Sequence, residues 1–208
     1  MDGDIVCCRS LEPLFSIDFD DKSIGAVYDI THMNKIKRSD EHEMKYLNKI
    51  GFHGDGYFNA GVLLIDTEQW HDMKIFERSM ECISENPEKW SENQDQDVLN
   101  YLFQNKVYWL EDKYNKHANK KNSYADDVAM VHYISWPKPW TAYYECDNPP
   151  DLFQEALRKS EWKDIPLDLP RSRIQYRFMS RACFNRGEYI EAIKWQLFYL
   201  RRKLLGMK

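Results

Sequence analysis

The alternation of apolar and polar positions divides the chain into short strands and longer helices. Ile5 to Cys8 reads as the end of a buried strand, and Ser23 to Ile30 (SIGAVYDI) as another, its apolar run interrupted only by small residues. The polar stretch from Lys35 to Lys49 fits a helix or a mobile loop. Val62 to Ile65, within YFNAGVLLID, is a continuous apolar run of the kind found in strands covered on both faces. Asp66 follows as a candidate N-cap with Gln69 three residues on, and Trp70, Met73, Phe76, Met80 and Ile83 recur at helical spacing. A strand that feeds a helix in this way predicts α/β architecture.

The segment ENQDQDVLNYLF opens a second helix, with Asp95 and Asp97 in its first turn, where the helix dipole favours carboxylates. KVYWLEDKYN reads as a short strand and turn, and DVAMVHYISW as a strand ending at His132. From Pro137 to Pro150 the density of prolines and aromatics marks a structured loop. Residues 151–168 fit a peripheral helix and linker, Pro170 a break, and residues 171–205 one or two basic helices. The expected division is therefore a main domain over residues 1–150 and a C-terminal region over 151–208. There is no internal repeat and no low-complexity segment.

With 208 residues, 43% of them hydrophobic and 14% aromatic, the chain has the material for one packed domain with a small appendage. No run of eighteen apolar residues occurs, and no basic start with an apolar middle marks a signal peptide, so a soluble cytosolic chain is expected. The five cysteines (Cys7, Cys8, Cys82, Cys146, Cys183) are odd in number and lack C-x-x-C spacing, which points to small hydrophobes rather than disulfides or a zinc knuckle. The charge is uneven. Residues 171–208 carry ten Lys or Arg against Glu188 and Glu191, a local surplus of +8, which leaves −13 for the other residues of a chain whose total is −5.

Three Asp-x-Asp pairs are candidates for a hard cation: Asp2/Asp4, Asp18/Asp20 and Asp95/Asp97. Asp18 and Asp20 lie in SIDFDDK, where a solvated turn explains them. Asp2 and Asp4 flank Gly3 beside an apolar strand and can aim two oxygen ligands at one Mn²⁺ or Mg²⁺. Such an ion needs further ligands. His132 is the histidine that ends an apolar strand, whereas His32, His42, His53, His71 and His117 sit in polar surroundings and read as surface residues. Lys138, in the stiff WPKPW loop, is suited to a point charge facing a diphosphate, but the residues alone favour a surface lysine in a turn built by prolines.

DGDIV, YFNAGVLLID, NQDQDVLN and HYISWPKPW, in this order and at these separations, resemble the motif series of glycosyltransferase family 8, the retaining enzymes that transfer hexose from a UDP-sugar. The basic tail from Arg171 to Leu205, and Ser160 to Trp162 before it, are similar to the C-terminal region of the lipopolysaccharide core glucosyl- and galactosyltransferases. The resemblance implies an α/β, GT-A-like (Rossmann-like) nucleotide-diphospho-sugar transferase fold with a C-terminal basic helical extension. It implies Asp2, Asp4 and His132 as ligands of Mn²⁺ or Mg²⁺, and Lys138 as the lysine on the donor diphosphate. Asn59, Ala60 and Asp29 match contacts to the donor sugar, and Asp95 and Gln96 match the pair beside the reacting anomeric carbon. At two positions the loop departs from the pattern: Ser135, in the donor-binding loop, replaces a glycine and Trp136 a proline.

The implied partners are UDP-glucose or UDP-galactose and a lipopolysaccharide core acceptor. In the tail, Tyr189, Ile190, Ile193, Leu197, Leu200 and Leu204 fall at helical spacing opposite Lys194 and Arg201, an amphipathic basic helix suited to an anionic membrane surface or to packing on the acidic body. No basic groove suggests nucleic acid. The expected location is the cytoplasm, peripheral at the inner face of the bacterial inner membrane. Family members carry roughly another hundred residues, the uridine-holding strands, before Asp-x-Asp. The chain is therefore expected to be a truncated catalytic domain, with strands missing from a mostly parallel sheet and activity that is weak or absent. Two other readings stand beside transfer: a non-catalytic remnant or split-gene half that binds glycan or membrane, and a nucleotide-sugar hydrolase.

Overall fold

The computed structural model describes residues 1–19, 21–90, 92–119, 121, 123–146 and 151–206. Asp20, of the second Asp-x-Asp pair, and Pro150 lie outside the described residues. By its contacts the chain divides into two compact units, Met1–Lys116 with Asp127–Val131, and His117–Asp126 with His132–Lys208.

The first unit runs through β1 (Ile5–Cys7), α1 (Glu12–Phe15), β2 (Ile24–Tyr28), α2 (Ile30–Lys37), α3 (Glu41–Ile50), β3 (Phe58–Ile65), α4 (Thr67–Asp72), α5 (Ile75–Glu85), α6 (Gln94–Leu102) and β4 (Val107–Trp109). The division cuts two further strands, β5 (Lys116–His117) and β6 (Met130–His132), just before their last residues. Those strands form one three-stranded sheet in the order β1-β6-β5, so His132 is taken here with the strand that carries it.

The second sheet has the order β3-β2-β4, with β2 parallel to β4 and antiparallel to β3. The expectation of a mostly parallel sheet is corrected: the direct β2–β3 neighbours oppose each other. Their register also slips. Ile24 to Ala26 face Ile65 to Leu63, but Val27 faces Asn59, so Ala60, Gly61 and Val62 have no partner on β2. A bulge of this kind bends the strand and leaves backbone groups to be satisfied elsewhere.

Local signals explain the helices around this sheet. Asp29 caps α2 by accepting from the backbone N–H of Thr31 and His32, Asp40 caps α3 from Glu43, and Asp66 caps α4 from Gln69 as expected. Gly51 ends α3 with φ of 73°, the left-handed conformation that glycine adopts without strain. The polar stretch from Lys35 to Lys49 is thus the end of α2 and most of α3. The helix expected from Asp66 through Ile83 breaks at Lys74, whose φ is 50°, into α4 and α5. The break rotates the periodic face: Ile75 is fully buried, whereas Phe76 and Met80 are 68% and 51% exposed. The core between sheet and helices holds Ile24, Ile50, Tyr57, Phe58, Val98 and Phe103, each at most 1% exposed, and each contributing roughly 1.5–3 kcal/mol by burial.

The second unit contains α7 (Leu152–Lys159), α8 (Arg173–Asn185) and α9 (Tyr189–Leu204). The basic tail is therefore two helices. Ser172 and Gln175 form a capping box at the start of α8, and Gly187, at φ of 80°, turns the chain into α9. The pair is closed by Met179, Ala182, Cys183 and Ala192 with Tyr143, by the Tyr176–Trp195 stack at 5.7 Å, and by the Ser180 hydroxyl donating to the Ala192 carbonyl at 2.8 Å. Cys183 packs as a small hydrophobe, but Cys7 and Cys8 are exposed, against the expectation from composition. Among the described residues no helix is long and apolar enough to cross a membrane.

Candidate functional site

The bulge in β3 is where the sequence-predicted residues of the first unit meet. Its freed backbone groups are taken by side chains and by the chain's start. Gln96, in the first turn of α6, accepts from the Ala60 N–H at 2.9 Å and from Asn59 Nδ2 at 3.3 Å. Asn59 Oδ1 accepts from the Gly61 N–H at 3.0 Å, and the Gly61 carbonyl accepts from the Asp2 N–H at 2.8 Å. Asp29 Oδ2 faces both amides, Asn59 Nδ2 and Gln96 Nε2, each at 3.4 Å, while its Oδ1 caps α2. Asp29 and Asn59 are each 6% exposed, so the carboxylate and two carboxamides form a fixed polar floor rather than a solvated surface.

Asp95 directly precedes Gln96 in α6. It is exposed, in the first turn of α6, where the backbone N–H groups favour a negative charge. It is not the N-cap: that position is Asn93. Its sequence neighbour Asp97 is fully buried and accepts from the hydroxyls of Tyr46 and Tyr57 and from the Asn93 N–H at 3.1 Å. The third Asp-x-Asp pair is therefore divided by the helix into one exposed carboxylate and one structural one.

Asp2, Asp4 and His132 each present a ligand atom, and these atoms lie within 4.8 Å of one another. Asp2 is exposed, Asp4 half-buried and His132, the last residue of β6, 3% exposed. Two carboxylate oxygens and one imidazole nitrogen at this spacing fit a hard divalent ion such as Mn²⁺ or Mg²⁺. The tie between the Asp2 N–H and the Gly61 carbonyl fixes the start of the chain to the bulged strand.

In the second unit, the loop after His132 folds back on itself. Lys138 Nζ donates to the carbonyls of Tyr133 at 2.7 Å and Ile134 at 3.0 Å, and its own carbonyl accepts from the Thr141 N–H and hydroxyl. The Trp136–Pro137 peptide is cis, and Ser135 is exposed on the same loop. The ammonium is thus part of a formed turn with half-buried surroundings, not a mobile surface lysine.

Comparison with known proteins places this geometry. The description "Glycosyl transferase family 8" matches residues 1–143, and "Glycosyl transferase family 8 C-terminal" matches residues 150–203. The chain belongs to glycosyl transferase family 8. It is 31% identical to the lipopolysaccharide glucosyltransferase WaaO of Escherichia coli K12 over 98% of its own length, and 29% identical to a lipopolysaccharide 1,3-galactosyltransferase of Salmonella typhimurium over 99%. It spans 61% and 62% of the length of those two relatives. Among solved structures, LgtC galactosyltransferase in complex with donor and acceptor sugar analogues aligns with a TM-score of 0.54 at 31% identity, covering 67% of this chain and 52% of that one. An active-site mutant of LgtC aligns with a TM-score of 0.57 at 28% identity, covering 81% and 61%. The fold is accordingly the α/β, GT-A type of family 8.

Several residues that shape this polar floor have no role implied by the motifs. Asn100 is 1% exposed and clamps α6 onto β3: its Oδ1 accepts from the Phe58 N–H at 2.8 Å, and its Nδ2 donates to the carbonyls of Phe58 and Gln96, both at 2.9 Å. Asn115 Nδ2 donates to Asn59 Oδ1 at 2.8 Å. His32, expected on the surface, is half-buried and pairs with the buried Glu43, which also takes Lys35 at 3.0 Å. That triad holds the end of α2 whose cap is Asp29. His117, also expected on the surface, is half-buried at the end of β5. For Asn115, His32 and Glu43 the sequence offers residue type alone: a buried amide or carboxylate must find partners.

Proposed function

We propose that the chain is the catalytic part of a retaining hexosyltransferase that moves glucose or galactose from a UDP-sugar to a lipopolysaccharide core oligosaccharide. The observation that carries this reading is the bulge in β3, where Asp29, Asn59 and Gln96 converge on one set of freed backbone groups. A fixed floor of one carboxylate and two amides is suited to the hydroxyl pattern of a hexose, because each polar atom presents a defined donor or acceptor. The relatives at about 30% identity over nearly the whole chain carry lipopolysaccharide glucosyl- and galactosyltransferase names, which supports the donor and acceptor classes.

Asp2, Asp4 and His132 would hold the divalent ion, which when bound stabilises the charge of the departing diphosphate. Lys138 supplies a further positive charge from its formed loop. Asp95, exposed and adjacent to Gln96, is positioned for the developing positive charge of an oxocarbenium-like sugar, while Gln96 is too weak a nucleophile to form a covalent intermediate. In front-side attack the bond from the anomeric carbon to the diphosphate breaks as the acceptor oxygen bonds on the same face. The leaving phosphate takes the acceptor proton.

Delivery to a lipid-anchored acceptor fits the tail. In α9, Ile190, Ile193, Leu197 and Leu204 are 61–87% exposed, and Arg201, Arg202 and Lys203 fill its last turn, an arrangement suited to the anionic inner face of the bacterial inner membrane. The test is product analysis with radiolabelled UDP-glucose and UDP-galactose, with and without core lipopolysaccharide, on the native chain and Asp95→Ala. Labelled glycolipid formed by the native chain and lost in the variant is expected. Free sugar released without acceptor would replace transfer by hydrolysis. No turnover by a folded chain would leave a non-catalytic binder.

A further inference from the structure

The second unit contains a cavity of about 260 Å³ walled by the loop after His132 and by α8. That is the volume of about nine water molecules at ~30 Å³ each, the scale of one sugar ring. One wall is a run of aromatic rings: Trp136 meets Tyr143 edge-on at 6.0 Å, and Tyr143 stacks with Phe178 at 6.3 Å. Trp136 is 50% exposed, so it is accessible to a ligand. Arg181 and Glu145 also line the cavity. Glu145 is engaged, accepting from Asn185 Nδ2 at 2.7 Å. Arg181 has no hydrogen-bond or ion-pair partner among the described residues.

We propose that this cavity binds a sugar ring bearing an anionic substituent, a phosphate or a carboxylate, with the ring on Trp136 and the anion on Arg181. Aromatic faces favour the apolar C–H faces of a pyranose, and a guanidinium in a fixed fork is the side chain suited to bidentate recognition of phosphate or carboxylate. The unused oxygen of Glu145 accepts ring hydroxyls. Ser135 and Trp136, the two positions at which this loop departs from the family pattern, both line the cavity. Arg181 also rims a second, more open groove with Arg177, Phe184, Tyr189 and Ile193. The anion would therefore sit where the basic, apolar surface of the α8–α9 pair begins, as a charged sugar of a glycolipid requires. As an acceptor subsite the cavity rests on the transferase reading above. As a binding site it does not.

The test is an NMR titration of the ¹⁵N-labelled chain with glucose 6-phosphate, glucuronate, glucose and inorganic phosphate, without nucleotide or metal. Glucose 6-phosphate, glucuronate or both are expected to shift the Trp136 indole and to bind about tenfold or more tighter than glucose, the gain of a charge-assisted pair. Arg181→Ala should erase that difference, and Trp136→Ala should weaken all three sugars. The two anionic sugars separate phosphate from carboxylate recognition. Equal affinity for charged and neutral sugars, an unchanged preference in Arg181→Ala, or inorganic phosphate binding as tightly as the sugar phosphate would each overturn the proposal. Failure of nucleotide binding would sink the transferase reading and leave this result standing.

Discussion

Replacing Asn100 by alanine removes the amide that completes the free side of β3. That strand is the edge of its sheet, and Phe58 pairs with Tyr28 on β2, leaving the Phe58 N–H and C=O pointing toward α6. The Asn100 carboxamide satisfies both, as a neighbouring strand would. In Asn100→Ala two buried peptide groups lose their partners at a cost of roughly 1–3 kcal/mol each, so a loss of about 2–6 kcal/mol is expected. With a urea m-value of about 2–3 kcal/mol/M, the midpoint falls by about 1–3 M. Asn100→Leu, of similar volume, separates the two contributions: if orphaned peptide groups dominate, Leu is as damaging as Ala to within about 1 kcal/mol. Urea unfolding followed by tryptophan fluorescence, with exchange of the Phe58 amide, reads both. An Ala variant within about 1 kcal/mol of the native chain, or recovery by Leu, would refute the reasoning and point to a simple cavity.

Three further outcomes follow from the same geometry. Gln96→Ala removes the acceptor of the Ala60 N–H and the link to Asn59, so donor affinity should drop at least about tenfold while stability changes by only about 1 kcal/mol, as calorimetry and urea unfolding on one sample would show. Burial and the adjacent Asp97 carboxylate push the phenols of Tyr46 and Tyr57 well above their ordinary value near 10. The native state therefore keeps protons that the unfolded chain loses, so stability is intact below about pH 10 and falls as pH rises beyond it; Asp97→Asn should flatten that fall in alkaline unfolding curves. Finally, Ile193→Asp with Leu197→Asp places charge on the exposed face of α9 and should abolish sedimentation with anionic vesicles while neutral vesicles, and high salt with either, give little binding from the start.

The sequence carried the caps and the strand cores well because both rest on local chemistry. Asp66 with Gln69, and the apolar run ending at Ile65, needed only spacing to be read. What spacing could not supply was the left-handed Lys74 that splits the helix and turns Phe76 and Met80 outward, since nothing in the local pattern announces a positive φ at a lysine. The slip in register between β2 and β3 was equally hidden, because a bulge is a property of two strands and not of one. The site shows the same division. Asn59 and Gln96 lie in recognisable motifs, yet what brings them together with Asp29 is the bulge. Asn115 and the Glu43 triad, which help to hold them, lie in none of the motifs, and Asn100 ends NQDQDVLN with nothing in the string to mark it as the clamp on β3.

The proposed function requires that Asp2, Asp4 and His132 hold a divalent ion that supports binding of a nucleotide-sugar donor. The most direct test is a calorimetric titration of UDP into the 208-residue chain with Mn²⁺, repeated without metal and with His132→Ala. Binding that requires Mn²⁺ and disappears in the variant is the predicted result. Absence of binding by a folded native chain, or binding indifferent to both metal and His132, would contradict it.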